Sequence, residues 1–148
     1  KFNNIKINRR DLLEEPKIDN AITEMGVREN INEGIEYLAF WIIGTGCCVV
    51  NYLMADAATC EVSRAQLWIW LKYKVKLDDG RIVDEKLIDE LIKDELSKIK
   101  KRFADWKKKT GDESLDHVSF EDAAKIFRNM ITKQNFDDFL TLPLYEKI

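Results

Sequence analysis

The sequence predicts an all-α fold, a compact bundle of about four to five helices behind an extended N-terminal arm. Three observations carry this. Apolar residues recur at helical spacing in several separate stretches, capping residues stand where those stretches begin, and glycines or turn signals follow their ends. The 148 residues, 45% hydrophobic and 34% charged, suffice for one domain with a real core.

The arm comprises residues 1–22 and the helical domain residues 23–148. Residues 1–21 show no helical period, and Pro16 interrupts them, as in a linker or an arm lying against another surface. From about Thr23, residues Val27, Ile31, Ile35, Leu38 and Ile42 recur at spacings of three and four, one face of a helix that Gly44 and Gly46 end. The short apolar run Cys47-Cys48-Val49-Val50-Asn51-Tyr52-Leu53-Met54 reads either as a buried strand-like segment or as a buried loop.

Ser63, with Gln66 three residues on, is a capping box, so a helix is expected to start there. Its buried side would hold Leu67, Trp68, Trp70 and Leu71. Asp78-Asp79-Gly80 is a turn signal. Asp84 opens the longest helix, to roughly Lys109, with a stripe of Ile88, Ile92, Leu96, Ile99, Phe103 and Trp106. Acidic residues crowd its start and basic residues its end, as the helix dipole favours. After the loop Thr110-Gly111-Asp112-Glu113-Ser114, Ser119 caps a last helix with Ala123, Ala124, Phe127 and Ile131 facing in. Pro143 keeps the aromatic and leucine-rich tail, residues 136–148, from forming one continuous helix. The four tryptophans, Trp41, Trp68, Trp70 and Trp106, are read as core.

Several function classes drop out. A net charge of −3 gives no basic field for nucleic acid, and no apolar run is long enough for a membrane span. Cys47, Cys48 and Cys60 are odd in number and form no CxxC pair, so reduced thiols are expected, and with His117 as the only histidine no metal site is expected. His117, in a polar loop, is read as a surface residue. The run Lys98-Ile99-Lys100-Lys101-Arg102 is read as a solvated helix face, with phosphate contact as its sharper alternative. The chain has neither an initiator Met nor a signal-peptide core, consistent with a piece of something longer. Its C-terminus has no S-K-L-type address, which favours the cytoplasm, with peroxisome or glyoxysome open if a signal was removed.

The one candidate catalytic group is Asp56. It follows the apolar run and precedes the small residues Ala57 and Ala58. An aspartate there could cap a helix, or, at an apolar boundary, carry a raised pKa and act as a general base. Spacing does not separate the two.

A resemblance bears on the choice. The run Gly46-Cys47-Cys48-Val49-Val50-Asn51-Tyr52-Leu53-Met54-Ala55-Asp56-Ala57-Ala58-Thr59-Cys60-Glu61-Val62-Ser63-Arg64-Ala65-Gln66-Leu67-Trp68 closely resembles the signature of malate synthases. Arg10-Asp11-Leu12-Leu13, Gly26-Val27-Arg28-Glu29-Asn30-Ile31, Leu77-Asp78-Asp79-Gly80-Arg81 and Phe139-Leu140-Thr141-Leu142-Pro143-Leu144-Tyr145 are similar to it too, in the right order. The resemblance implies a helical C-terminal plug closing over a TIM barrel that binds glyoxylate and Mg²⁺. It implies that Asp56 deprotonates acetyl-CoA, that the enolate attacks glyoxylate, and that hydrolysis releases malate and CoA. It places the Met54 region near the pantetheine arm. Ala57 and Ala58 would then leave room for the thioester, and the apolar run would exclude water.

The chain departs from that pattern in places. Malate synthases usually have Glu where Ala55 stands, Asn at Thr45, Pro at Val49, Gln at Ile69, and His-Gly at Tyr73-Lys74. Loss of the carboxylate before Asp56 is expected to alter its pKa or placement. Nothing in the sequence could be the barrel, because no βα alternation is present. The chain alone is therefore expected neither to turn over nor to bind Mg²⁺ tightly. Two readings stand: the catalytic C-terminal part of a malate synthase, or a stand-alone, non-catalytic interaction module derived from one. Both predict an exposed apolar patch where the barrel would sit.

Overall fold

The structure, a computed structural model, describes residues 6–13 and 21–147. Its main helices are α2 (Glu24–Ile42), α3 (Ala57–Lys72), α4 (Glu85–Thr110) and α5 (Phe120–Thr132), with a short helix α1 (Arg9–Leu13) before them. A two-stranded antiparallel hairpin, β1 (Cys48–Val50) and β2 (Leu53–Ala55), joins α2 to α3. Short 3-10 turns cover Ser114–His117 and Leu142–Lys147. The predicted all-α bundle is the fold, with the hairpin as its one sheet among the described residues.

Helix α2 is the centre, packed against α3, α4 and α5. The side chain of Thr23 caps its start by accepting from the Gly26 N–H at 3.1 Å, and Gly44 ends it in the left-handed region, φ 90°. Val27, Ile31, Ile35 and Leu38 are fully buried, as their spacing predicts. Helix α4 is capped by Asp84, whose carboxylate accepts from the Leu87 N–H at 2.8 Å, and ends at Gly111 with φ 68°. Ser119 caps α5, and its four predicted core residues are buried.

Gly34 lies inside α2, where glycine is normally unfavourable. A Cβ there would overlap the ring of Phe127, which is itself fully buried. Glycine is therefore the residue that lets α2 and α5 approach. Gly34→Ala is expected to destabilise the domain by about 2 kcal/mol or more, because overpacking outweighs the gain in helix propensity. Chemical denaturation checks this, and an unchanged midpoint would show that Phe127 moves aside freely.

Four expectations need correction. The arm is not wholly without helix, since α1 forms at Arg9–Leu13, with the Asn8 carboxamide oxygen accepting from the Arg10 N–H at 2.8 Å. Five residues are too few to show a helical period. Pro16 lies outside the described residues. Ser63 does not start a helix: α3 begins at Ala57, capped by Asp56, and Ser63 is buried within it, donating to a carboxylate oxygen of Glu33 at 3.3 Å. Starting earlier lets Cys60 and Arg64 join Leu67 on the buried face. The tryptophans are core only in part: Trp41 and Trp70 are half-buried and pack against it, Trp68 is half-buried, and Trp106 is exposed because the C-terminal end of α4 runs beyond its packing partners. Finally, the run from Cys47 to Met54 is strand-like, as one reading had it, but forms a hairpin that is mostly exposed, with Val50 its one buried residue.

Among the described residues no helix is long and apolar enough to cross a membrane. His117 is exposed on its 3-10 turn, as expected. Most of the basic run on α4 is engaged in ion pairs: Lys98 with Asp94 and Glu95, Lys100 with Glu121, and Arg102 with Glu36. That favours the helix-face reading over phosphate contact.

Candidate active site

Asp56 sits where the hairpin meets α3. In the hairpin, Val49 lies opposite Met54, and Val50 opposite Leu53. The two turn residues, Asn51 (φ 49°) and Tyr52 (φ 65°), are both left-handed, as a two-residue hairpin turn requires. Val50 and Ala55 point into the bundle and are buried, so they seat the hairpin on the helices. The other face is left apolar and open, with Val49 and Met54 exposed, Met54 to 76%, and at the turn end Leu53 is exposed and Tyr52 100% exposed.

Helix α3 carries further exposed apolar residues, Val62, Ile69 and, at its C-cap, Tyr73, spaced at seven and four residues. They run about a third of a turn round the helix from Asp56, so the apolar surface beside Asp56 is that of the hairpin. The expected exposed apolar patch is therefore present on the hairpin, and Asp56 follows Met54 by two residues. Isolated exposed apolar residues are ordinary, but Val49, Tyr52, Leu53 and Met54 together on one small hairpin mark an interaction surface.

The carboxylate of Asp56 is exposed and held in place by its own helix. One oxygen accepts from the Thr59 N–H and the Thr59 hydroxyl, both at 3.0 Å. These bonds, the backbone one first, hold its pKa below the ordinary aspartate value. A raised pKa was one of the two possibilities for an apolar boundary, and in this chain it is not realised, because nothing covers the carboxylate. The group is ionised at neutral pH and oriented by the cap.

A second carboxylate, missed in the sequence, belongs to the same surroundings. Glu33 reaches from α2 to Ser63, and burial raises its pKa, with the negative charge of Asp56 adding to the effect. Only the packing of α2 on α3 brings it there, and its position on α2 carried no local signal. Ala55, where a further carboxylate was the usual residue, faces the core. The thiols flank this region: burial pushes Cys48 up to about 11 and Cys60 higher still, so both are protonated and unreactive at neutral pH.

Among the described residues no group of three or more His, Cys, Asp or Glu side chains stands together as a metal would require. A cleft of about 480 Å³, lined by Trp68, Leu71, Lys72 and Ile131 among others, lies at the opposite end of α3 from Asp56 and is not part of the site.

The fold and the site together define a helical domain that presents one oriented carboxylate at the edge of an exposed apolar face. Comparison with known proteins identifies that domain. Residues 21–148 match the family described as "Malate synthase, C-terminal", and the chain belongs to this family. It is 38% identical to a malate synthase of Myxococcus xanthus over 148 residues, all of this chain and 26% of that protein. It is 39% identical to a glyoxysomal malate synthase of Gossypium hirsutum, over 93% of this chain and 23% of that protein. A malate synthase of Dictyostelium discoideum is 40% identical over 84% of this chain and 21% of its own length. The chain thus spans about a quarter of the length of the relatives it matches.

Proposed function

We propose that this chain is the C-terminal catalytic part of a malate synthase and that Asp56 is the base that removes a proton from the methyl group of acetyl-CoA. The observation that carries this reading is the placement of an oriented, ionised carboxylate beside an apolar face that has no cover. An ionised carboxylate is in the right protonation state to accept a proton, yet the depressed pKa makes Asp56 a weak base as it stands. Covering the face would withdraw water from the carboxylate and raise its basicity toward what a weak carbon acid demands.

In this scheme the methyl group of the thioester lies against Asp56, with Met54 alongside the pantetheine arm. Met suits that contact, since its flexible thioether adapts to an extended chain. The proton passes to the Asp56 carboxylate, the resulting enolate carbon attacks the aldehyde of glyoxylate, and hydrolysis of the thioester gives malate and CoA. The cap bonds from Thr59 keep the carboxylate in one orientation, so little freedom is lost on the way to the transition state. Glyoxylate and Mg²⁺ would be held by a TIM barrel outside this chain.

The direct test uses the isolated chain and the same chain joined to the remaining, N-terminal part of a malate synthase. CoA release from acetyl-CoA and glyoxylate is expected at background for the first and well above it for the second. Turnover by the isolated chain would refute the scheme, and a joined protein that folds but is inactive would favour the non-catalytic module.

A further inference from the structure

The hairpin that leads to Asp56 is held on the bundle in an unusual way. Its turn places two non-glycine residues in the left-handed region, one of them the bulky and wholly exposed Tyr52. Backbone of that kind persists only where its surroundings over-determine it. Val50 and Ala55 seat the strands, but at the turn itself packing is loose, with a cavity of about 280 Å³, bounded by Asn32, Asn51, Ile99 and Arg102 among others, beside it.

Hydrogen bonds supply the constraint there. The Asn51 side-chain amide donates to the Asn32 carboxamide oxygen on α2 at 3.2 Å. Its own carboxamide oxygen accepts from Arg102 on α4, also at 3.2 Å. Arg102 in turn donates to Glu36 of α2, a carboxylate only 1% exposed, and Asn32 hydrogen-bonds the same carboxylate. The four side chains close a ring across α2, α4 and the turn. A buried carboxylate at its base is costly unless each partner is present, so the ring has one preferred arrangement.

We propose that Glu36, Arg102, Asn32 and Asn51 form a clamp that fixes the hairpin turn and, through β2, sets the position of Asp56. They are positioning residues for proton abstraction, which rests on the reading of Asp56 as the base. Only four residues separate Asn51 from the helix cap at Asp56, and three of them are the strand β2. A turn free to swing would carry Met54 and the cap with it.

The discriminating variant is Asn51→Gly. Glycine adopts the left-handed turn without strain, so the change removes both clamp bonds while keeping the backbone conformation accessible. In the 148-residue chain, amide hydrogen exchange across residues 48–55 is expected to rise about tenfold, as the loss of two modest hydrogen bonds implies. Exchange in α4 and α5 should stay as in the parent. The Asp56 carboxyl, followed by carbon NMR, should titrate closer to the ordinary aspartate value, because its cap bonds would be made less of the time. Glu36→Gln, which keeps the shape but weakens the hold on Arg102, should move both readouts the same way by less. Unchanged exchange in the hairpin would overturn the clamp. Faster exchange with an unmoved Asp56 titration would overturn its positioning role. Neither readout depends on turnover, so the clamp and the assignment of Asp56 as base can fail independently.

Discussion

On the proposed role of Asp56, Asp56→Asn in the chain joined to the N-terminal part of a malate synthase is expected to lower kcat by about 10²- to 10⁴-fold, the range that loss of a general base produces. KM for acetyl-CoA should change little, since the amide keeps the shape of the carboxylate and removes only its ability to accept the proton. The substitution is unusually clean, because asparagine caps helices about as well as aspartate. The carboxamide oxygen of the substituted side chain can still accept from the Thr59 N–H, so α3 should keep its start and thermal unfolding should stay close to the parent's. A fall in kcat without a fall in stability would separate the chemical role of Asp56 from its structural one. Near-normal turnover would remove Asp56 from the mechanism. In the isolated chain the cap bonds depress the pKa of Asp56, so its carboxylate is ionised at neutral pH and is lost only as pH falls through the carboxylate range.

The largest stability effect is expected at Arg64. Its side chain is fully buried on α3, between Glu61 one turn earlier and the C-terminal segment. The guanidinium donates to one carboxylate oxygen of Glu61 through Nε and Nη2, at 2.9 and 2.6 Å, and to the Asp137 carbonyl at 2.9 Å. It also lies 3.8 Å above the ring of Phe136. The other oxygen of Glu61 accepts from the Leu140 N–H. Arg64 and Glu61 together therefore tie the tail to α3, and Leu140 and Leu144 are buried behind them.

Arg64→Met keeps the bulk but leaves Glu61 and the Asp137 carbonyl without their partner, and is expected to destabilise the chain by about 3 kcal/mol. For a domain of this size that corresponds to a Tm lower by about 6–12 °C. One guanidinium nitrogen, Nη1, is buried without a hydrogen-bond partner, so the arginine itself is not perfectly satisfied and methionine recovers part of the loss. A rise in Tm would mean that this unsatisfied nitrogen outweighs the ties to the tail.

Local signals located most of the helices. Thr23, Asp84 and Ser119 each cap a helix in the structure, and Gly44 and Gly111 each follow one, because a cap is decided by a few adjacent backbone groups. The start of α3 shows the limit of that logic. Asp56 and Ser63 both had cap chemistry within seven residues, and the winner was decided by burial of Cys60 and Arg64, which only packing reveals. The stripe on α4 had the right period but ran on to an exposed Trp106, since periodicity states which side chains align and not how far a neighbour extends.

By itself, the sequence determined the helical class, most helix ends and the single candidate carboxylate, all of which depend on residues within a turn or two of one another. Its run around Asp56 also carried the family. Tertiary structure alone decided that this carboxylate is bare and its pKa lowered, that Glu33 stands near it, and that Asn32, Glu36, Asn51 and Arg102 meet around the hairpin turn. Those facts depend on groups dozens of residues apart in the chain, and on which apolar surface finds no partner within it. No local pattern encodes either, because solvent exposure and long-range hydrogen bonds exist only once the helices have packed.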